Sequence, residues 1–167
     1  DNSSIIAVGD SGKIVKTTNE GLNWIAIQTE NVGLQSVCFV NSITGYIVGN
    51  RHGNNPWPAS DMIILKSTNS GLNWSIVQNS FQFGYHDYND VKFVNESTGY
   101  VVMGRDTKGY IIRTTDAGLS WVQTFELIGN GTSEPGSLTC ISILNDRHMW
   151  VGGYNGTIVS TVSPVGI

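Results

Sequence analysis

The sequence is poor in charge, in cysteine and in long apolar runs, and each shortage excludes a class of protein. Charged residues make up 13% of the 167 residues, and a net charge of -4 with a pI near 5.2 argues against binding to the phosphate backbone of nucleic acids. No apolar run is long enough to span a bilayer, and no signal peptide is recognisable. The chain also lacks a phosphate-binding glycine loop, a G-x-S-x-G motif and a helical period. We therefore expect a β-rich protein without a cofactor.

The two cysteines, Cys38 and Cys140, fit neither a disulfide nor a zinc site. They fall in strand-like segments two repeats apart and at different positions of the repeat. A disulfide requires Cα atoms within about 7 Å of each other, which this arrangement disfavours. No spacing of Cys and His is typical of a metal site. We predict two buried free thiols and no bound metal.

Three copies of an eight-residue motif dominate what is present. Each copy has a hydroxyl residue first, Asn or Asp third, Gly fifth and Trp eighth, and the copies recur after 50 and 47 residues. A period of this length is typical of repeat proteins. The defining residues are Thr17, Asn19, Gly21 and Trp24, then Ser67, Asn69, Gly71 and Trp74, then Thr114, Asp116, Gly118 and Trp121. Because these positions repeat, we predict that they serve the fold rather than a ligand.

Each copy reads as a tight turn between two strands, and we call it the box turn. The hydroxyl and the Asn or Asp side chain can accept hydrogen bonds from nearby backbone N–H groups, and Gly permits a positive φ. The Trp is expected to cover the turn and to bury its face between neighbouring repeats. Apolar segments such as 63–65 precede the turn and alternating segments such as 74–77 follow it, which is the pattern of a β-hairpin.

The segments outside the box turn repeat as well. Segments beginning at Leu34, Tyr88 and Leu138 align, and each is followed by a Gly-aromatic or Met-Trp segment. Each repeat therefore predicts four short antiparallel strands, A to D, with the box turn joining C to D, which is the blade of a β-propeller. We interpret the whole chain, 1–167, as one propeller domain or segment. Its predicted blades cover residues 5–28, 34–79, 88–126 and 138–162.

The box turn resembles the Asp-box, or BNR repeat, of sialidase-type and related β-propellers. With the strand Gly45–Gly49 before the box turn, the whole repeat is most similar to propellers of the photosystem II stability/assembly factor type. The resemblance covers nearly the whole chain, although Asn19 and Asn69 replace the usual Asp. It implies a propeller fold but no single function, because such families range from hydrolases to receptors and assembly chaperones.

The predicted strands number three, four, four and three, which makes about three and a half blades. A fourth box turn fails after Thr161, because Ser163 stands at the Asn or Asp position and Val165 at the Gly position. Closed propellers usually have about 4–8 blades. The alternatives are a part of a longer chain, a ring completed by further copies through open blade edges, and a small or open array. We favour the incomplete propeller.

Functional residues are expected where the repeat breaks down. The A–B and C–D connections lie at one end of a blade, and the B–C and D–A connections at the other end carry the longer loops, 50–61, 79–87, 105–109 and 127–137. Aromatic and charged residues on such loops are typical of a recognition surface. The predicted binding residues are Arg51, His52, Trp57, Tyr85, His86, Asp87, Arg105 and Asp106, with Phe81, Phe83, Lys108 and Glu134 beside them.

Several of these residues have a second interpretation. Trp57 also fits a residue that packs its own loop onto a blade edge, and histidines are more often surface groups than catalytic ones. Arg51 and Arg105 follow equivalent strands, so they fit a surface pair with Asp61 or Asp106 as well as a grip on one carboxylate.

We interpret the chain as a non-catalytic binding or assembly scaffold that recognises a protein or glycan through its long-loop end. A glycosidase needs two carboxylates at a defined separation, and no motif links the candidates Asp87, Asp106, Glu134, Tyr85 and Tyr88. A fragment of a sialidase-like or other glycoside hydrolase is the alternative, followed by a structural spacer. Low lysine content and neutral strands favour a secreted, periplasmic or cell-surface protein.

Overall fold

The computed structural model describes residues 3–52, 60–78, 86–105, 108–128, 137–145 and 147–161. These residues form fourteen strands in four sheets of three, four, four and three strands. Sheet 1 contains β1 Ile5–Val8, β2 Lys13–Thr17 and β3 Ile25–Gln28. Sheet 2 contains β4 Gly33–Phe39, β5 Gly45–His52, β6 Ser60–Ser67 and β7 Ser75–Gln78. Sheet 3 contains β8 Asp87–Phe93, β9 Gly99–Arg105, β10 Lys108–Thr114 and β11 Val122–Ile128. Sheet 4 contains β12 Leu138–Asn145, β13 His148–Gly153 and β14 Ile158–Ser160.

Each sheet is a simple antiparallel meander in which neighbouring strands follow one another along the chain. The box turns join β2 to β3, β6 to β7 and β10 to β11, which are the C and D strands of sheets 1 to 3. The predicted all-β fold of propeller blades, with strand counts of three, four, four and three, is therefore confirmed.

The chain divides into two compact units, Asp1–Tyr88 and Asn89–Ile167. In the first unit, sheets 1 and 2 share an apolar core built around Ile14, Ile47 and Leu65. Ile27 of β3 and Trp74, directly before β7, pack against this core. Burying a side chain of this size contributes about 1.5–3 kcal/mol, so face-to-face packing of adjacent sheets holds this unit together.

The second unit has its own core between sheets 3 and 4. Val102, Leu138 and Val151 are buried there, and Phe125 and Val159 pack against them. Side chains of successive strand residues point to opposite faces of a sheet, so each strand contributes only alternate residues to this core. The core is therefore assembled from several strands of both sheets.

The structure corrects the predicted loop in sheet 3 and the predicted burial of the cysteines. The loop predicted from Arg105 to Gly109 is mostly strand, because β9 runs to Arg105 and Lys108 pairs directly with it. Cys38 and Cys140 lie on β4 and β12 and form no disulfide, but Cys140 is exposed and Cys38 is half-buried rather than buried.

Within the described ranges, no helix is long and apolar enough to cross a membrane.

Candidate functional site

The three box turns have the same hydrogen-bond geometry. In the first, the Thr17 hydroxyl donates to Asn19 Oδ1 at 2.8 Å and accepts from the N–H groups of Asn19 and Gly21, at 3.2 and 3.1 Å. The N–H of Asn23 donates to Asn19 Oδ1 at 2.9 Å. The equivalent bonds of the turns at 67–73 and 114–120 measure 2.7 to 3.3 Å. These side chains satisfy the backbone of the turn, as their repetition predicts.

The fourth residue of each box turn has a positive φ, which the sequence did not predict. Glu20, Ser70 and Ala117 have φ values of 59°, 61° and 58°, directly before the glycine, whose φ is also positive. This left-handed region is uncommon for residues with a side chain. It is maintained by the hydrogen bonds of the turn, since the residues at this position share no side-chain chemistry.

The box tryptophans are buried to very different extents. Trp121 is 3% exposed, and its ring lies edge-on to Phe93 with 6.2 Å between centroids. Trp74 is similarly edge-on to Phe39 at 5.9 Å, whereas Trp24 is 46% exposed. The prediction that each Trp buries its face is therefore wrong for Trp24. Both phenylalanines come from A strands, and sheet 1 has no A strand among the described residues.

Asn side chains organise the A–B turns, a feature that sequence reasoning missed. Asn41 Oδ1 accepts from the N–H groups of Ile43 and Thr44, and Asn95 and Asn145 bind their turns in the same way. The A–B turn also binds the box turn of its own sheet, since the N–H of Ser70 donates to the Ile43 carbonyl at 2.8 Å. The signal was available, because an Asn recurs three or four residues before the B strands of sheets 2 to 4.

Two predicted binding residues, Arg51 and His52, lie at the end of β5. The backbone register places Arg51 opposite Asp61 and His52 opposite Ser60 on β6. The antiparallel pair therefore puts a guanidinium-bearing residue directly across from a carboxylate-bearing one, the neighbour that the sequence suggested for Arg51. These positions stand on a regular ladder rather than on a loop.

His86 and Asp87 are brought to the same place by a buried asparagine. Asn50, next to Arg51, accepts from the N–H of Tyr88 at 2.7 Å and donates to the Tyr88 carbonyl at 3.1 Å. This two-point bond holds the start of β8 beside the end of β5, so the backbone positions of four predicted residues lie at these two neighbouring strand ends. We call Arg51, His52, His86 and Asp87 the loop-face cluster.

Two groups at the start of β8 are shielded from solvent. Asp87 Oδ1 is buried and accepts no hydrogen bond from the described part of the chain. Tyr88 is fully buried, and desolvation raises the pKa of its hydroxyl above the usual range. A hydroxyl so enclosed does not reach a ligand in solvent, which removes Tyr88 from the candidate nucleophiles.

The other predicted site residues are not part of this arrangement. The backbone register pairs Arg105 with Lys108 at the end of the β9–β10 hairpin in sheet 3. The remaining positions lie outside the described residues, namely Trp57, Phe81, Phe83, Tyr85, Asp106 and Glu134. Among the described residues, no group of three or more His, Cys, Asp or Glu side chains is arranged to hold a metal ion.

The sheets and their turns define an all-β protein of the β-propeller class. No protein-family model matches the chain, and no curated protein matches it. Among solved structures it is similar to YCF48 bound to a D1 peptide, with a TM-score of 0.57 and 19% identity over 96% of this chain. A second similar structure is YCF48 from Cyanidioschyzon merolae, with a TM-score of 0.44 and 16% identity over 95% of this chain. The chain spans 61% and 66% of the lengths of these two proteins.

Proposed function

We propose that the chain is a non-catalytic, protein-binding scaffold of the Asp-box propeller family, and that the loop-face cluster contacts its partner. The observation that supports this proposal most directly is the similarity of its fold to a YCF48 structure that holds a D1 peptide. The three box turns, which share the same hydrogen bonds, support the family assignment. An exported location belongs to the same proposal.

The geometry of the cluster agrees with recognition rather than with turnover. Arg51 and His52 stand on a paired strand end, and the bond from Asn50 to the backbone of Tyr88 holds the strand that begins at Asp87 beside it. The paired backbone at these strand ends has little conformational freedom, which lowers the entropic cost of binding. An Arg, two His and an Asp at neighbouring backbone positions suit a partner with charged and polar groups.

The experiment is site-specific photo-crosslinking in an extract of the source cells. A photoreactive amino acid is placed at His52, at the B–C end of sheet 2. A matched control places it at Leu22, an exposed residue of the box turn at the C–D end of sheet 1. We expect a discrete crosslinked protein from position 52 and none from position 22. Its recovery should fall when Asp87→Ala is added to the position-52 variant.

Two outcomes would count against this function. Equal crosslinking from both positions would indicate non-specific adhesion. Hydrolysis of an aryl glycoside that disappears with Asp87→Asn would favour the glycoside hydrolase alternative instead. A glycan partner would be recognised by a discrete hit on a glycan array that is lost with Asp87→Ala.

A further inference from the structure

The D strand of sheet 1 has an open, regular edge. β3 is the outermost strand of its sheet, and it pairs with β2 without a register shift from Ile25 to Gln28. The corresponding strands β7 and β11 are each interrupted by a shift in register. Such bulges protect sheet edges against pairing, and β3 lacks this protection. Its residues carry no charge, and Ile25 is 56% exposed.

The hydrogen-bonding groups of this edge can be assigned. The N–H of Thr29 donates to the Gly12 carbonyl at 3.0 Å, directly beyond the pair formed by Gln28 and Lys13. Hydrogen-bonded and non-hydrogen-bonded pairs alternate along an antiparallel ladder. The N–H and C=O groups of Ala26 and Gln28 therefore point away from β2, and the described residues supply them with no backbone partner.

A groove with one apolar and one polar wall runs beside this edge within the first unit. It has a volume of about 650 Å³, within the range of ligand pockets. Its apolar wall is formed by Ile27 of β3 and by Leu65, Leu72, Trp74 and Ile76 of sheet 2, and its polar wall by Gln28, Thr29, Glu30 and Asn73. An added strand would place every second side chain on the face that Ile25 and Ile27 share. Those side chains would enter the groove, while the backbone would pair with Ala26 and Gln28.

The charge of the groove selects the sign of the occupant. Among the described residues that line the groove, Glu30 carries a charge, and it is negative. The whole chain has a net charge of -4. A basic segment is therefore favoured over an acidic one. We propose that β3 is a strand-addition site for an extended peptide segment of a partner protein, with alternate aliphatic side chains and a Lys or Arg at one end.

This surface shares no residue with the loop-face cluster, so either proposal can fail without the other. The test uses the purified chain and the capped peptide acetyl-KVTVTV-amide as the probe, followed by backbone amide chemical shifts. We expect saturable shifts at Ala26, Gln28 and residues 72–76. The peptide with Glu in place of Lys should bind about threefold more weakly, the size of a surface charge interaction.

Proline at position 26 gives the decisive variant. Ala26→Pro removes an outward N–H that the sheet does not use, and proline is tolerated on edge strands for this reason. Binding of the probe should weaken about tenfold, whereas the matched control Ala26→Ser should bind as wild type. Both variants should keep the wild-type melting temperature.

Three results would overturn the proposal. They are no binding of the probe, shifts centred elsewhere, and equal binding by the folded Ala26→Pro variant. Self-association of the wild-type chain that Ala26→Pro abolishes would assign the edge to a second copy instead of a peptide.

Discussion

One carboxylate distinguishes the third box turn from the other two. Asp116 stands where the first two turns have Asn19 and Asn69, and it accepts from both the hydroxyl and the N–H of Ser120, at 2.5 and 2.9 Å. The Thr114 hydroxyl donates to it at 2.7 Å. These bonds, with that of the Ser120 side chain foremost, favour the charged form and lower the pKa of Asp116 to about 2. The third turn alone among these three is therefore tied to the charge of a side chain.

Replacing Asp116 should make the third turn insensitive to acid. The folded pKa lies below the ordinary value of 3.8, so the contribution of the carboxylate is present above pH 4 and is lost as pH falls toward 2. We expect Asp116→Asn to have a lower urea midpoint than wild type at pH 7, with the difference shrinking between pH 4 and pH 2. The reciprocal variant Asn69→Asp should gain acid sensitivity. A difference that stays constant over this pH range would contradict the assignment.

Gly45 permits the contact on which the second Trp depends. A Cβ atom at this position would lie 2.7 to 2.9 Å from three atoms of the Phe39 ring. The pair opposite each other in sheet 4 is Ile143 and Met149, so a larger B-strand residue there accompanies a smaller A-strand residue. The glycine is thus required by the phenylalanine and not by its own backbone conformation.

Gly45→Ala should therefore destabilise the chain by about 1–3 kcal/mol, the range of overpacked cores. The matched control Gly9→Ala should change stability by less than about 0.5 kcal/mol, because a Cβ there meets no atom within 4 Å. In the Phe39→Ile background, Gly45→Ala should cost less than it does in wild type. Chemical denaturation of the four variants measures this coupling, and simple additivity would argue against the contact.

At the scale of the elements, the A strand decides how well a box turn is covered. Sheets 2 and 3 place Phe39 and Phe93 beneath Trp74 and Trp121. Sheet 1 offers no such residue in the described part of the chain, and Trp24 stays half-exposed although its turn has the same hydrogen bonds. The hydrogen bonds of the turn and the burial of the tryptophan therefore contribute separately to the stability of a blade.

Truncating the tryptophans should separate these contributions. Trp121→Ala should cost about 3–5 kcal/mol, as for other buried aromatic residues, whereas Trp24→Ala should cost about 1 kcal/mol. Thermal and urea unfolding of the two purified variants gives the comparison. Equal losses would mean that the Trp acts through its own turn and not through the A strand.

The strands and box turns were predictable because their signals are local. Hydroxyl, Asn or Asp and Gly act within eight residues, and the alternation of apolar residues reports directly on strands. The loop-face cluster was only half predictable, because Asn50 binds Tyr88 across 38 positions of the chain and no short pattern encodes such a pair. The same limit explains Arg105, since the length of a hairpin connection depends on strand register rather than on composition.

At the scale of the whole molecule, no covalent link supports the sheets. Neither of the two cysteines forms a disulfide, so stability rests on the two apolar cores and on the hydrogen bonds of the turns. We expect the melting temperature to be the same with and without a thiol reductant. A thiol reagent should react with the exposed Cys140 before the half-buried Cys38. A melting temperature that falls on reduction would contradict the absence of a disulfide.

The bond between the A–B turn and the box turn has a consequence for how such a chain changes over evolutionary time. In sheet 2 the N–H of Ser70 binds the Ile43 carbonyl, and in sheet 3 the N–H of Ala117 binds the Ser97 carbonyl, so each bond begins and ends in one sheet. A duplication or deletion of a whole repeat, 47 to 50 residues, leaves every such bond intact. A gain or loss of half a repeat would break one. Insertions and deletions in this protein are therefore expected to comprise complete sheets. The opposite end of each sheet, which takes no part in these bonds, is free to diverge in sequence.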